Sequence, residues 1–364
     1  MTSYFSEKEL SKYVNAYIDE GYIKGDKKLY LFPIAKSTEI MMINKTDWES
    51  FAKGRGITYS DLLTIEGVCK VAKQYYEYTD ALTPDIPNDG KAFYGRDSMS
   101  NYFVTGMKQM GVDIFEYKNQ VPTLNINEDK IKRLWENYYV PYVSGYFASA
   151  GKFRTDDVKM GKILAYTGST SSVMFFPDKV IEADESSRNI EFDVLPIPIF
   201  KDGSKVNVQQ GAGLAVTKSD ELHEYASCEF LRWFTKKENN ILFSLESSYL
   251  PVLKEANNIS SIDSVISSNN LTINNKSYAC IKEIMNSFDS MKFYTTISFK
   301  NCYSARKVLD YNLSDKAIAD KLEIDRAIES GSSREEVLSS YTSDEAFSTW
   351  YEAFKAKLEF EFSK

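Results

Sequence analysis

Histidine is almost absent: the 364-residue chain holds one, His223. A histidine-based catalytic triad and a multi-histidine metal site are therefore poor readings. Cysteine is sparse as well. Cys69, Cys228, Cys280 and Cys302 are widely spaced and form no CxxC pair, which supplies neither a zinc site nor a disulfide framework. They read as four free, mostly buried thiols, with a Cys280–Cys302 bridge and hence the compartment left open. No run approaches roughly 18 consecutive apolar residues, so nothing in the sequence reads as a membrane-spanning helix. The opening Met1-Thr2-Ser3-Tyr4-Phe5-Ser6-Glu7-Lys8-Glu9 has neither a basic region nor an apolar one after it. No signal peptide is expected from it, and taken alone that says cytoplasmic. Basic residues are outnumbered, 44 against 52 acidic, for a formal charge of -8. A non-specific nucleic-acid binder needs the opposite surplus.

What is present is ordinary globular material: 43% hydrophobic and 26% charged residues over two to three typical domain lengths. Aromatics reach 14%, with 25 Tyr and 22 Phe, enough for cores and for flat faces in a binding site. Short apolar runs alternate with amphipathic helices, which predicts an α/β protein. Strands are expected at 29–34, 39–44, 163–166, 192–198 and 213–216. The prolines Pro196 and Pro198 put the fourth of these at a sheet edge or strand end. Helices are expected over 58–78, 129–139 and after Asp97, which reads as the N-cap of a stripe Met99, Tyr102, Phe103, Met107 and Met110 stopped by Gly111. Leu222, Ala226, Phe230, Trp233 and Phe234 form one apolar stripe, and Phe347, Trp350, Phe354 and Leu358 another. Capping boxes are read at Thr235/Glu238, Ser333/Glu336 and Thr342/Glu345. The Asn/Ser-rich stretch 257–276 reads as a surface excursion or weak linker, and no internal repeat is present.

Four segments place polar or glycine residues where the apolar pattern breaks: Ala35-Lys36-Ser37-Thr38, Gly95-Arg96-Asp97-Ser98, Thr167-Gly168-Ser169-Thr170 and Gln209-Gln210-Gly211-Ala212-Gly213. Turns out of strands leave backbone N–H groups to bond a ligand's oxygens, and hydroxyls and amides add donors and acceptors suited to a neutral polyol. The plain readings stand beside these. Thr167–Thr170 serves equally as a helix cap, Gly211 and Gly213 as a tight bend, and Arg96 as a solvated charge. Adjacent Asp156 and Asp157 do not face one another, so they make a weak acid pair. His223 sits on an exposed-looking helix face, and Lys36 lacks the SxxK pattern of Ser–Lys chemistry.

The run Tyr30-Leu31-Phe32-Pro33-Ile34-Ala35-Lys36-Ser37-Thr38-Glu39-Ile40-Met41-Met42-Ile43-Asn44-Lys45 resembles a stretch of bacterial extracellular solute-binding proteins, the ligand-capturing components of ABC importers of the maltose and glycerol-3-phosphate-binding type. Further matches follow in the family's order: Met160–Ser169, Val194-Leu195-Pro196-Ile197-Pro198 with Gln210–Val216, Phe230-Leu231-Arg232-Trp233-Phe234-Thr235, and Ser248-Tyr249-Leu250-Pro251-Val252. The resemblance implies a two-lobed, type II periplasmic-binding-protein-like α/β fold with a hinge cleft. Family members carry a signal peptide, often a lipidation Cys, and about a hundred residues before the first of these stretches, which here begins at residue 30. The resemblance therefore implies an N-terminal lobe that is incomplete. Residues 1–33 and 208–255 would be its remnant, residues 34–207 and 256–364 the C-terminal lobe, with hinge crossings near Ile34 and Val208.

Carried over by position, the ligand-binding residues are Lys36, Ser37, Thr38, Arg96, Asp97, Ser98, Ser169, Thr170, Gly211, Ala212, Gly213 and Tyr249. The stretch that in some members holds an Arg for a phosphate aligns with Phe293-Tyr294-Thr295-Thr296, which has none, and this favours a neutral carbohydrate. The resemblance thus implies a non-enzymatic receptor for a carbohydrate or polyol, without cofactor or metal. Its partners are ABC permease subunits rather than nucleic acid, its default state is a monomer, and its place is the outer face of the membrane or the periplasm in full-length form. The alternatives are a glycosidase, which needs two carboxylates roughly 5–10 Å apart, and a truncated receptor unable to bind.

Overall fold

The apolar run that opens the resemblance folds as two consecutive strands, Phe32–Ser37 and Glu39–Asn44, broken only at Thr38. The computed structural model describes residues 1, 3–23 and 26–364; Thr2, Lys24 and Gly25, within the segment 1–33 assigned to the first lobe, lie outside the described residues. The chain divides into two compact units. The first comprises Met1–Ile40, Ser169–Phe175 and Asn207–Thr295, and the second Met41–Gly168, Phe176–Val206 and Thr296–Lys364. Against the boundaries drawn from the sequence, the chain passes between units at 40/41 rather than near Ile34, and 256–295 belongs with the first unit. The reason is burial: Ile262, Val265 and Ile281 sit in one core with Phe5, Tyr17, Phe32, Leu231 and Val252. The polar stretch 257–276 is thus no linker, since it holds the helix Ile259–Ser268.

In the first unit Phe32–Ser37 pairs antiparallel with Gln210–Leu214, with a register shift between Pro33 and Ala35. Its other side bridges to Leu250 through Lys36. Among the described residues Gln210–Leu214 pairs with no second strand. A second ladder joins Val206–Val208 to Lys292–Tyr294.

The second unit is built on a four-stranded sheet ordered Tyr94–Arg96, Ala165–Ser169, Glu39–Asn44, Phe192–Leu195. Phe192–Leu195 lies at the edge, as its following prolines require. Its helices pack through aromatic rings. Trp135 stacks on Tyr139 at 4.8 Å and Phe103 on Phe354 at 5.4 Å. Phe347, Trp350, Phe354 and Leu358 of Asp344–Ser363 are all buried, so that stripe is a core face as expected.

Several local expectations fail for identifiable reasons. The cap of Met99–Gln109 is Ser98, whose Oγ accepts from Asn101 N; Asp97 accepts instead from Arg154 N at 3.0 Å. Thr235 closes the helix Glu221–Phe234 rather than opening the next one, its hydroxyl donating to Leu231 O. Ser343, not Thr342, caps Asp344–Ser363, and Ser333 makes no side-chain cap bond. Residues 58–78 split into a 3₁₀ turn Tyr59–Leu62 and the helix Ile65–Asp80, capped by Thr64. The largest departure concerns Glu221–Phe234. Cys228 and Leu231 face the core, while Leu222, Phe230 and Trp233 of the apolar stripe read from the sequence are exposed. The four cysteines are free thiols, so Cys280 and Cys302 form no bridge.

Candidate functional site

The first unit gathers most of the sequence-predicted residues around the end of one strand. Lys36 pairs with Gly211 and Ser37 with Gln210 across the ladder, with Ala35 opposite Ala212 and Pro33 opposite Gly213. Lys36 N donates to Leu250 O at 3.0 Å, which brings Tyr249 beside the strand. Thr170 N donates to Thr38 O at 2.8 Å, and Thr38 Oγ1 to Val208 O at 2.7 Å. Ser169 lies in the same turn, its Oγ 2.9 Å from Ser171 Oγ.

The side chains are less available than their types suggested. Lys36 is only 1% exposed, and its ammonium lies 2.6 Å from Glu20 Oε2. Gln209 Nε2 donates to the same oxygen at 2.5 Å and to Ala16 O at 3.0 Å. Lys36 therefore ties the strand to the Asn15–Asp19 helix. Ser37, Thr38 and Thr170 are buried, whereas Gly211 and the half-buried Ser169, Ala212, Gly213 and Tyr249 reach the surface. Gly211 has φ +104°, and a Cβ there would stand 2.6 Å from Ala35 O. Glycine is required at this point because L side chains rarely adopt that backbone and the neighbouring atoms are main chain.

Arg96, Asp97 and Ser98 belong to the second unit, where they open a cavity of about 440 Å³. They stand where the strand Tyr94–Arg96 gives way to the helix Met99–Gln109. Facing residues include Tyr138, Lys152, Arg154, Asp310 and Asp315. Several of these groups engage one another or a neighbour. Arg154 N donates to Asp97 Oδ1 at 3.0 Å, and Arg154 Nη1 lies 2.5 Å from Asp157 Oδ2. Asp310 Oδ1 accepts from Ser100 N at 2.7 Å and from Ser98 Oγ at 3.4 Å. The Arg96 guanidinium lies over the Tyr102 ring, 5.1 Å from its centre. Three cations (Arg96, Lys152, Arg154) and three carboxylates (Asp97, Asp310, Asp315) line this one cavity. Burial pushes the Tyr138 phenol well above its ordinary value. It stays protonated at neutral pH and offers a hydroxyl that both donates and accepts.

Tyr138, Arg154 and Asp310 escaped the sequence reading. Tyr138 lies in the run Tyr138-Tyr139-Val140-Pro141-Tyr142, whose proline marks a broken helix and was the one available signal. Asp310 sits inside the 28-residue helix Cys302–Glu329, where nothing local separates a site carboxylate from a solvated one. His223 is exposed, its Nδ1 2.6 Å from Asp220 Oδ2, in keeping with a surface role. Among the described residues no group of three or more His, Cys, Asp or Glu is arranged to hold a metal ion, and no helix is long and apolar enough to cross a membrane.

Comparison with curated protein sequences gives no match. Solved structures do match. The cyclic alpha-maltosyl-1,6-maltose binding protein from Arthrobacter globiformis superposes with a TM-score of 0.61 at 16% identity, over 98% of this chain and 78% of its own. UgpB from Mycobacterium tuberculosis, in complex with glycerophosphocholine, gives 0.64 at 16% identity, over 97% and 76%. An ABC substrate-binding protein from Listeria monocytogenes in complex with cycloalternan gives 0.60 at 17% identity, over 94% and 77%. Likeness at this level of identity establishes the fold, α/β and periplasmic-binding-protein-like. The family model described as bacterial extracellular solute-binding protein matches residues 3–270. With that match covering well over half its length, and with the fold in agreement, the chain belongs to the bacterial extracellular solute-binding protein family.

Proposed function

We propose that this chain is the solute-capturing component of an ABC-type importer and that its solute is a neutral carbohydrate or polyol. The carrying observation is the lining of the second unit's cavity, where cations and carboxylates stand in equal number, three of each, with a neutral phenol among them. An anion would need uncompensated positive charge and a polyamine uncompensated negative charge; a polyol needs donors and acceptors held in place. Ser98, Tyr138 and the outward atoms of Asp97 and Asp310 supply those, with Arg96 as the fixed donor. In the first unit Ser169, Gly211, Ala212, Gly213 and Tyr249 reach the surface and offer polar groups of the same kind. The chemistry is recognition without turnover, since Asp97 and Asp310 are each engaged by backbone amides and serve as acceptors. Membership of an extracellular family places the protein outside the cytoplasm, and membrane-embedded permease subunits receive the solute from it. Two of the neighbours support the solute class, one named for cyclic alpha-maltosyl-1,6-maltose and one in complex with cycloalternan.

The test is calorimetric titration with maltooligosaccharides, cyclic oligosaccharides, glycerophosphocholine and polyamines, with product analysis after incubation. A neutral saccharide that binds and is recovered intact supports the reading, and Tyr138→Phe should weaken its binding about tenfold, as loss of one hydrogen bond does. Binding of a charged solute alone, or cleavage of a glycoside, overturns it.

A further inference from the structure

The second unit holds a larger cavity outside the solute reading, about 560 Å³ in volume against 440 Å³ for the one beside Arg96. It lies at the other end of the sheet. Lys91 and Ala92 lead into the strand Tyr94–Arg96, and Gly161 and Lys162 into Ala165–Ser169, its parallel neighbour. Arg96, Asp97 and Ser98 stand at the finish of the first of those strands. The cavity's floor consists of the buried rings Tyr76, Tyr142 and Phe147, with Gly145, Ala148 and Ala150 beside them. Both phenol hydroxyls are turned to protein partners. Tyr76 donates to Asn88 O at 2.8 Å, and the Tyr142 hydroxyl lies 2.8 Å from Ser149 Oγ. What the floor offers a ligand is therefore carbon, which suits an apolar ring and not a polyol.

The rim is cationic. Three ammonium groups (Lys91, Lys162, Lys321) face two carboxylates (Glu182, Asp325). Both carboxylates are already engaged, Asp325 by Lys321 and Glu182 by Arg188 at 2.7 Å. Lys91 and Lys162 are exposed and form no ion pair among the described residues. Their backbones are held in place: Lys91 N donates to Thr79 Oγ1 at 2.7 Å and Lys162 N to Asp157 O at 2.8 Å. Arg334 and Asp80, outside the lining, act on Tyr76 with opposite signs and leave the excess unchanged. The chain as a whole has a formal charge of -8, so this local surplus of positive charge runs against its composition. We propose that the cavity is a second binding site, for an aryl phosphate monoester. Its phosphate would be held by Lys91 and Lys162 and its ring would lie over Tyr142 and Phe147. A phosphate monoester carries roughly two negative charges at neutral pH, one for each unpaired ammonium group. The two halves of the ligand depend on one another, because exposed ion pairs alone contribute little and the ring supplies the burial.

Isothermal titration calorimetry of the full chain with phenyl phosphate tests this. Binding is expected with a dissociation constant on the order of 100 μM at low salt, and severalfold weaker in about 0.5 M salt. Inorganic phosphate lacks the ring and phenol the charge, so each should bind about tenfold more weakly or worse. Lys91→Glu and Lys162→Glu, both at exposed positions, should each weaken phenyl phosphate about tenfold or more while circular dichroism shows an unchanged fold. Ala150→Trp, also at an exposed position, should fill the floor and abolish binding with both lysines still present. Tyr138→Phe, in the other cavity, should leave the affinity for phenyl phosphate unchanged, so the result stands apart from whether a saccharide binds there. No binding up to about 10 mM overturns the proposal. So does inorganic phosphate that binds as tightly as phenyl phosphate, or an affinity indifferent to Lys91→Glu and Lys162→Glu. Competitive displacement of phenyl phosphate by a bound saccharide would place it in the solute cavity and overturn the proposal as well.

Discussion

Removing Glu20 is the sharpest test of how the first unit is held together. The Lys36 side chain is 2% exposed and its ammonium lies 2.6 Å from Glu20 Oε2, a carboxylate that is itself 23% exposed. At that distance and an effective dielectric near 20 the attraction is about 6 kcal/mol before desolvation is charged against it. Glu20→Ala does not forfeit that whole sum, because the pair also pays to leave water. What it leaves is a buried ammonium without a counterion and Gln209 Nε2 without one of its two acceptors. Breaking a buried pair in this way costs about 3–5 kcal/mol. The partial exposure of Glu20 admits water to the gap and moves the expectation to about 3 kcal/mol. Urea unfolding followed at Tyr and Trp emission, with first-unit amides tracked by hydrogen exchange, gives the number for the unit concerned. The double variant Glu20→Leu/Lys36→Met should recover most of the loss, since apolar replacement of a buried pair is often neutral. If Glu20→Ala costs under about 1 kcal/mol, or if the double variant is as unstable as the single one, the buried charge is not what the pair resolves and the reasoning fails.

Three further outcomes follow from the same geometry. Gly211→Ala should cost about 2–3 kcal/mol by differential scanning calorimetry, because φ +104° and a Cβ 2.7 Å from Lys36 Cα leave only main-chain atoms to move. Phe354→Ala, at 0% exposure and stacked on Phe103, should cost about 3–5 kcal/mol in denaturant titration. The third concerns acid. Backbone donation from Ser6, with Arg232 beside it, lowers the Glu9 carboxyl from 4.5 to about 2. Its folded value lies below its unfolded one, so its contribution is complete above about pH 4.5 and is lost as pH falls towards 2. Glu9→Gln should flatten the fall of Tm across that window and leave Tm at pH 7 only slightly lower, the site being largely solvent-screened.

The family was legible because its markers are local. A strand, a tight turn and a cap are fixed by a few neighbouring residues, and Phe32–Ser37, Glu39–Asn44 and the proline-bounded edge strand Phe192–Leu195 lie close to where alternation and proline put them. The stripe Phe347, Trp350, Phe354 and Leu358 likewise states its own burial. The polar strand-end segments were legible for the same reason: Lys36–Thr38, Ser169–Thr170 and Gly211–Gly213 interrupt an apolar pattern. What only the tertiary structure decided is which partner each group found. Nothing local says that Lys36 meets Glu20 sixteen positions earlier, that Asp97 is claimed by Arg154 so that Ser98 becomes the cap, or that Asp310 reaches Ser100 from another helix. Nor does periodicity tell which of two apolar faces meets the core: on Glu221–Phe234 Cys228 and Leu231 are buried while Leu222, Phe230 and Trp233 are exposed.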